Sequence, residues 1–214
     1  MVMDINREVK NQKILDNISP SEALKMLKEG NKRFLNQDSI ERDHEWHMKE
    51  TIDGQHPFAI VHGCVDSRVM PSIIFDQGIG DLFISRIAGN IINQDILGSM
   101  EYACVAVGSK LIVVLGHTSC GAVKGAADNF KLGNLTASLK HIKFAASKVK
   151  TAEGEERNGK NLKFVNNVAL ENVRMAIDDI KSQSKILYEL YEDGKIDIVG
   201  ALYHHATGEV VFCD

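Results

Sequence analysis

Two short stretches carry side chains whose types and spacing could do chemistry: Cys64-Val-Asp-Ser-Arg68 and His117-Thr-Ser-Cys120. The second directly follows the apolar run "KLIVVL" and puts an imidazole and a thiol three residues apart. H-x-x-C alone is open to three readings: two metal ligands, half of a thiol nucleophile pair, or two buried polar residues. Cys64 shifts the balance if it reaches the same place. Two thiolates and an imidazole suit a borderline-soft ion such as zinc, and three protein ligands leave a fourth position for water or substrate. The H-x-x-C spacing lets both ligands come from one turn, and a helix opening at Cys120–Gly121 favours the thiolate. Asp66 and Arg68 can be an ordinary surface ion pair, worth little. They can also be an acid beside the metal, kept ionised and in one orientation by a planar guanidinium. Such an acid could accept a hydrogen bond from metal-bound water or swing onto the metal itself.

These groups need elements that carry them to one place. "PFAIVHG", "DLFISRIAG", "KLIVVLGH" and "IDIVGALYH" read as buried strands, with helical stretches between them. The alternation predicts an α/β fold: a mainly parallel central sheet flanked by helices. Such sheets place reactive groups at the carboxyl ends of strands. Cys64 lies just past the first strand, and His117 and Cys120 lie at and past the third. "NQDILGSMEYACVAVG" predicts a helix with Ile96, Leu97, Met100, Cys104 and Val107 on one side. "VNNVALENVRMAIDDIKSQ" is the clearest helix, with Val165, Val168, Ala169, Val173, Ala176, Ile177 and Ile180 at helical spacing. "SKILYELYEDG" is a shorter helix that Gly194 ends. A turn at Thr207–Gly208 leads into a short last strand. The first 54 residues read as an N-terminal helical arm, and 55–214 as the single catalytic core. Ser19-Pro-Ser-Glu22 is a capping box with Pro at the first helical position. The helix it opens has Leu24, Leu27, Phe34 and Leu35 as its apolar stripe and Gly30 as a weak interruption. "DSIERDHEWHMKETIDGQ" reads as solvated.

Composition narrows the function classes. The chain has 214 residues, 44% of them hydrophobic, which suffices for one domain with a sizeable core. A net charge of −4 offers no basic excess for a nucleic-acid partner. The first residues are too polar for a signal peptide, and no apolar run approaches membrane-spanning length. Four cysteines are too few for a disulfide scaffold, so the expected setting is the reducing cytoplasm. Cys104 and Cys213 read as small buried hydrophobes. His44 and His47 share a helix face, but a solvated face explains them. His204 and His205 point to opposite sides of a strand end and do not chelate jointly. His62 reads as structural rather than as a proton shuttle. Neither a G-x-G-x-x-G nor a Walker pattern is present, which disfavours nucleotide binding.

C-V-D-S-R followed by G-H-T-S-C-G-A-V-K resembles the β-class carbonic anhydrases, which carry C-x-D-S-R and H-x-x-C. "FDQGIGDLFISRIAGN" and "ILGSMEYA" extend the likeness, which runs from about Gln55 to Gly125. The resemblance implies one zinc ion per chain, bound by Cys64, His117 and Cys120, with Asp66 and Arg68 as the catalytic dyad. It implies reversible hydration of carbon dioxide to bicarbonate and a proton through zinc-bound hydroxide. Alternatives on the same scaffold are hydrolysis of carbonyl sulfide or carbon disulfide, or a non-catalytic zinc protein with a regulatory role. Gln55, Phe83, Tyr102 and Gly121 match positions around the family's substrate pocket. Some bacterial members inhibit themselves through bicarbonate at a site using a Trp three residues before the first Cys ligand. Val61 holds that position here, so the regulatory site is expected to be absent or altered. Ile87 departs from the family's usual Asn before "AGN". The family also implies an arm that wraps a partner subunit and a site at the dimer interface, hence a homodimer or homotetramer.

Overall fold

Strands that are apolar at nearly every position need cover on both faces, and the chain supplies it with helices before, between and after the strands. The computed structural model describes residues 8–213. In chain order the elements are α1 (Gln12–Asp16), α2 (Pro20–Leu35), α3 (His44–Glu50), β1 (Ala59–Gly63), α4 (Pro71–Ile74), β2 (Leu82–Arg86), α5 (Gln94–Glu101), β3 (Leu111–His117), α6 (Gly121–Ala127), α7 (Leu135–Lys148), α8 (Leu162–Gln183), α9 (Lys185–Glu192), β4 (Asp197–Tyr203) and β5 (Val210–Cys213). The strands form one sheet in the order β2-β1-β3-β4-β5, parallel except for β5. The expected α/β architecture and the four predicted strands are present. The turn before β5 has Gly208 at φ 79°. Among the described residues no helix is long and apolar enough to cross a membrane.

Side-chain alternation divides the core. Ala59, Val61, Leu111, Val113 and Leu115 face a cluster with Leu15, Ala23, Met26, Leu27 and Phe75 from the N-terminal helices and the α4 end. Ile60, Ile112 and Val114 face a cluster with Met100, Ala103, Val173, Ile180 and Leu187. A third cluster gathers at the carboxyl end of the sheet around Cys64, Cys120, Val123, Leu139, Phe164 and Val168. Helix α5 runs on into one wide π-helical stretch, Tyr102–Val107, which buries Ala103 and Cys104.

Helix α2 has the predicted capping box, but its buried face is Ala23, Met26, Leu27, Gly30 and Asn31. Leu35 lies outside it, 39% exposed. Gly30 is a contact rather than an interruption, because a Cβ there would lie 1.8 Å from the Phe75 carbonyl oxygen. Asn31 clips the helix down: its Nδ2 donates to the carbonyls of Ile74 (3.1 Å) and Gly208 (3.0 Å), and its Oδ1 accepts from the Val210 N–H. The arm helix is thus packed on this chain's own sheet. The segment read as solvated is only partly so. His47 in α3 is buried, and Asp76 accepts from Arg33 (2.5 Å) and Arg42 (2.6 Å), both arm residues.

Candidate metal centre

The site begins with two parallel neighbours. The register pairs Gly63 of β1 with Leu115 of β3, so the residue after β1, Cys64, and the last residue of β3, His117, reach the same edge. The chain then turns through Thr118 and Ser119 into α6, with Cys120 just before its first turn. Ser119 takes the left-handed region at φ 56°, and its N–H donates to Asn166 Oδ1 of α8 at 2.9 Å. Cys64, His117 and Cys120 are buried, and their ligating atoms lie within 4.8 Å of one another.

The donor set fits a metal on two counts. Two sulfurs on one zinc stand roughly 3.8 Å apart, given Zn–S bonds of about 2.3 Å, and the Cys64 and Cys120 sulfurs are 4.0 Å apart. The second count is His117. Its Nδ1 lies 3.0 Å from the Thr118 carbonyl oxygen. A carbonyl cannot donate, so Nδ1 carries the proton and Nε2 presents a lone pair. That Nε2 is buried with no hydrogen-bond partner. A buried acceptor without a partner costs about 1–3 kcal/mol, which a bound cation would offset.

The thiols differ. The neighbouring Cys120 and His117 side chains, with the Gly89 N–H at 3.3 Å, hold Cys64 down at about 4 against the cost of its burial. Cys120, beside Cys64 and deeply buried, is pushed up. Gly89 sits at φ 73°, and a Cβ there would meet Ile142 Cδ1 at 2.4 Å, so only glycine brings its N–H to the sulfur. Asn172 of α8 fixes the same turn by donating to the Gly89 carbonyl at 2.8 Å.

Asp66 and Arg68 form a two-pronged pair: Arg68 Nε to Oδ1 at 3.0 Å and a terminal nitrogen to Oδ2 at 2.8 Å. That pairing holds the Asp66 carboxyl well below the usual carboxylate range. Its Oδ2 is 4.0 Å from His117 Nε2, on the edge of the ligand cluster. Arg86, at the end of β2, donates to the carbonyls of Cys64 (2.8 Å) and Asp66 and so shapes the loop from below. Ile87 is half-buried against the cluster that contains Cys64 and Cys120.

Other predicted residues lie elsewhere. Gly121 adjoins Cys120, with open space where a Cβ would be. Gln55 precedes β1 and is exposed at the amino end of that strand, opposite to Cys64. Phe83, the second residue of β2, pairs with Ile60 and stacks edge-on with Tyr102 (5.9 Å) in a groove of about 890 Å³. Within one chain these three do not join the metal cluster. His62 is buried, bonded to Ser85 Oγ (2.9 Å) and the Ile91 carbonyl (3.0 Å), and burial lowers its affinity for a second proton. It is structural, as its sequence context suggests.

Sequence reasoning passed over Arg86, Asn166, Asn172 and His205. Only His205 left a signal, as one of two histidines at the end of the strand that neighbours β3. Its Nε2 is 3.0 Å from His117 Nδ1. Burial and the nearby Arg68 charge hold its ring below the usual histidine range.

A family model described as carbonic anhydrase matches residues 59–210. "Carbonic anhydrase 2" of Mycobacterium tuberculosis is 35% identical over 207 residues, covering 94% of this chain and 96% of that protein. The structure of the beta-carbonic anhydrase CcaA superposes with a TM-score of 0.69 at 27% identity, over 89% of this chain and 87% of that one. One of two tetrameric beta-carbonic anhydrases from Sordaria macrospora shares the fold at a TM-score of 0.67 and 22% identity, over 77% of this chain and 84% of that one.

Proposed function

Because the chain belongs to the β-class carbonic anhydrase family, whose members are lyases, we propose that it hydrates carbon dioxide reversibly to bicarbonate and a proton, with one zinc ion held by Cys64, His117 and Cys120. One observation carries this reading: a buried imidazole nitrogen without a partner, grouped with two buried cysteine sulfurs and edged by an ionised carboxylate.

A zinc ion in this set supplies Lewis acidity that lets a water lose its proton near neutral pH. The protein's residues do the rest. Arg68 keeps Asp66 charged and in one orientation, so the carboxylate accepts a hydrogen bond from a reacting water without retaining its proton at neutral pH. Arg86 and the Gly89 turn hold the loop that bears Cys64 and Asp66. Ile87, Ile91 and Ala122 pack with the cysteines and give a small apolar molecule an apolar wall.

Gln55, Phe83, Tyr102 and Gly121 are the proposed substrate-lining residues. The first three belong to a neighbouring subunit's site in this reading, since their own chain keeps them from its cluster. Strand β2 is a sheet edge, and Ile84, Tyr102 and Val105 beside it are 42%, 55% and 58% exposed, an apolar face of the kind subunits cover. We therefore propose a homo-oligomer built from at least a dimer. The setting is a reducing cytoplasm, which keeps both thiols available.

Stopped-flow hydration of carbon dioxide between about pH 6.5 and 9, a range bracketing the titration of water on zinc, tests the activity on protein of known zinc content. A rate that rises with pH in proportion to zinc supports the reading. Zinc-loaded protein with no rate above buffer refutes it. Light scattering that shows a monomer at micromolar concentration refutes the oligomer.

A further inference from the structure

His205 stands outside the ligand set, yet the fold builds it against the ligand. Strands β3 and β4 are zipped at their ends: the Thr118 N–H donates to the Tyr203 carbonyl (2.9 Å), and the His205 N–H donates to Thr118 Oγ1 (3.1 Å). These bonds fix the His205 backbone beside the H-x-x-C turn. Its ring is then held edge-on between two others, 5.0 Å from His117 at 70° and 5.2 Å from Tyr203 at 84°. The outcome is Nε2 at 3.0 Å from His117 Nδ1.

The Thr118 carbonyl has already assigned the proton to His117 Nδ1, so His205 Nε2 must accept and His205 carries its own proton on Nδ1. Asp66, His117 and His205 also lie close enough to suggest a second cation site. That would require His117 to ligate through both nitrogens and give up its last proton, while the Thr118 carbonyl calls for that proton to stay. The hydrogen-bonded reading keeps that proton in place.

Resting on the zinc reading above, we propose that His205 is a positioning residue for the metal ligand His117: it accepts the Nδ1–H alongside the Thr118 carbonyl and holds the ring so that Nε2 points at the two sulfurs. A metal-bound imidazole is oriented and made a better donor by the acceptor on its far nitrogen, and loss of such an acceptor costs about tenfold to a hundredfold in metal affinity or activity. Here the acceptor is shared between a backbone carbonyl, which mutation cannot remove, and the His205 ring, which it can.

The experiment measures zinc affinity by chelator competition, and the absorption spectrum of the cobalt-substituted protein, for the parent, His205→Phe and His205→Gln. His205→Phe keeps an aromatic ring between His117 and Tyr203 but no acceptor. It is expected to bind zinc at least about tenfold more weakly and to shift the cobalt bands, while circular dichroism is unchanged. His205→Gln has an amide oxygen to accept the bond and is expected to recover most of the affinity. Parent-like affinity and cobalt bands in His205→Phe overturn the proposal and leave the zinc reading standing. Equal weakening in both variants overturns it too, because the ring rather than the acceptor would then matter. A parent that binds no zinc overturns both readings.

Discussion

Two histidines, His62 on β1 and His117 on β3, are buried completely on neighbouring parallel strands, and they have opposite chemistry. His62 has both ring nitrogens partnered, one by a hydroxyl and one by a carbonyl. His117 keeps one nitrogen proton-bearing and bonded and leaves the other bare among two thiols and a carboxylate. Burial alone therefore does not separate a site from a core. The unpartnered nitrogen set beside two sulfurs and a carboxylate does, because a buried acceptor without a hydrogen bond calls for another partner, and here the neighbouring groups are those that hold a cation. The carboxylates repeat the contrast. Asp76 is buried between two arginines and ties the arm to the core, whereas Asp66 is partly open and paired to a largely exposed arginine.

The largest expected effect breaks the His117 side of the comparison. Cys64→Ser or His117→Ala should abolish zinc binding and bring carbon dioxide hydration down to the buffer rate, with helix and strand content by circular dichroism retained. Metal analysis of the purified variants checks it. Next, Asp66→Asn should keep zinc and lose about 10²–10⁴-fold in hydration rate, the span of a lost acid–base group. Parent-like rates across neutral and alkaline pH would end the dyad assignment.

The Asp76 side yields a stability effect with a definite sign. Burial pushes the Asp76 carboxyl up, but hydrogen bonds from Arg33 and Arg42 outweigh it and hold it below the usual range. A depressed folded value means the pair stabilises fully above the unfolded value of about 3.9, and that contribution is lost as pH falls through the folded value. Asp76→Asn should cost about 3 kcal/mol at neutral pH, as for a buried pair broken on one side, and flatten the acid limb of stability. Urea melts at a series of pH values measure both. The smallest effect sharpens the histidine contrast: His62→Leu should cost about 2 kcal/mol through its two stranded partners and leave zinc content unchanged. Zinc loss in that variant would show that the two histidine environments are not separable.

Much of this was legible in the order of residues. Continuous apolar runs set the strands, the spacing of Val165 through Ile180 set α8, and Ser19 to Glu22 set the cap of α2, because each depends on neighbours a few positions away. The Cys and His candidates for metal binding and their place at strand ends were equally local. The arm was read less well. Leu35 looks like part of the stripe, yet the helix leaves it exposed and turns Ala23, Met26 and Gly30 inward with Leu27, Leu24 packing at the margin, since Gly30 lets the helix approach the Phe75 backbone closely. Nothing near His47 in sequence announces the loop of Gly78 and Ile79, just before β2, that covers it.

The chain by itself determined the elements, the donor set and the family. Tertiary structure decided which of those residues meet. It brought His205 to His117 across 88 positions and Asn172 to Gly89 across 83. It also carried Gln55 to the far end of β1 from Cys64, nine residues on. The physical reason is that local signals act through spacings of a few residues, whereas a site is made where strand order and register bring distant ends together, and neither is written in any one segment.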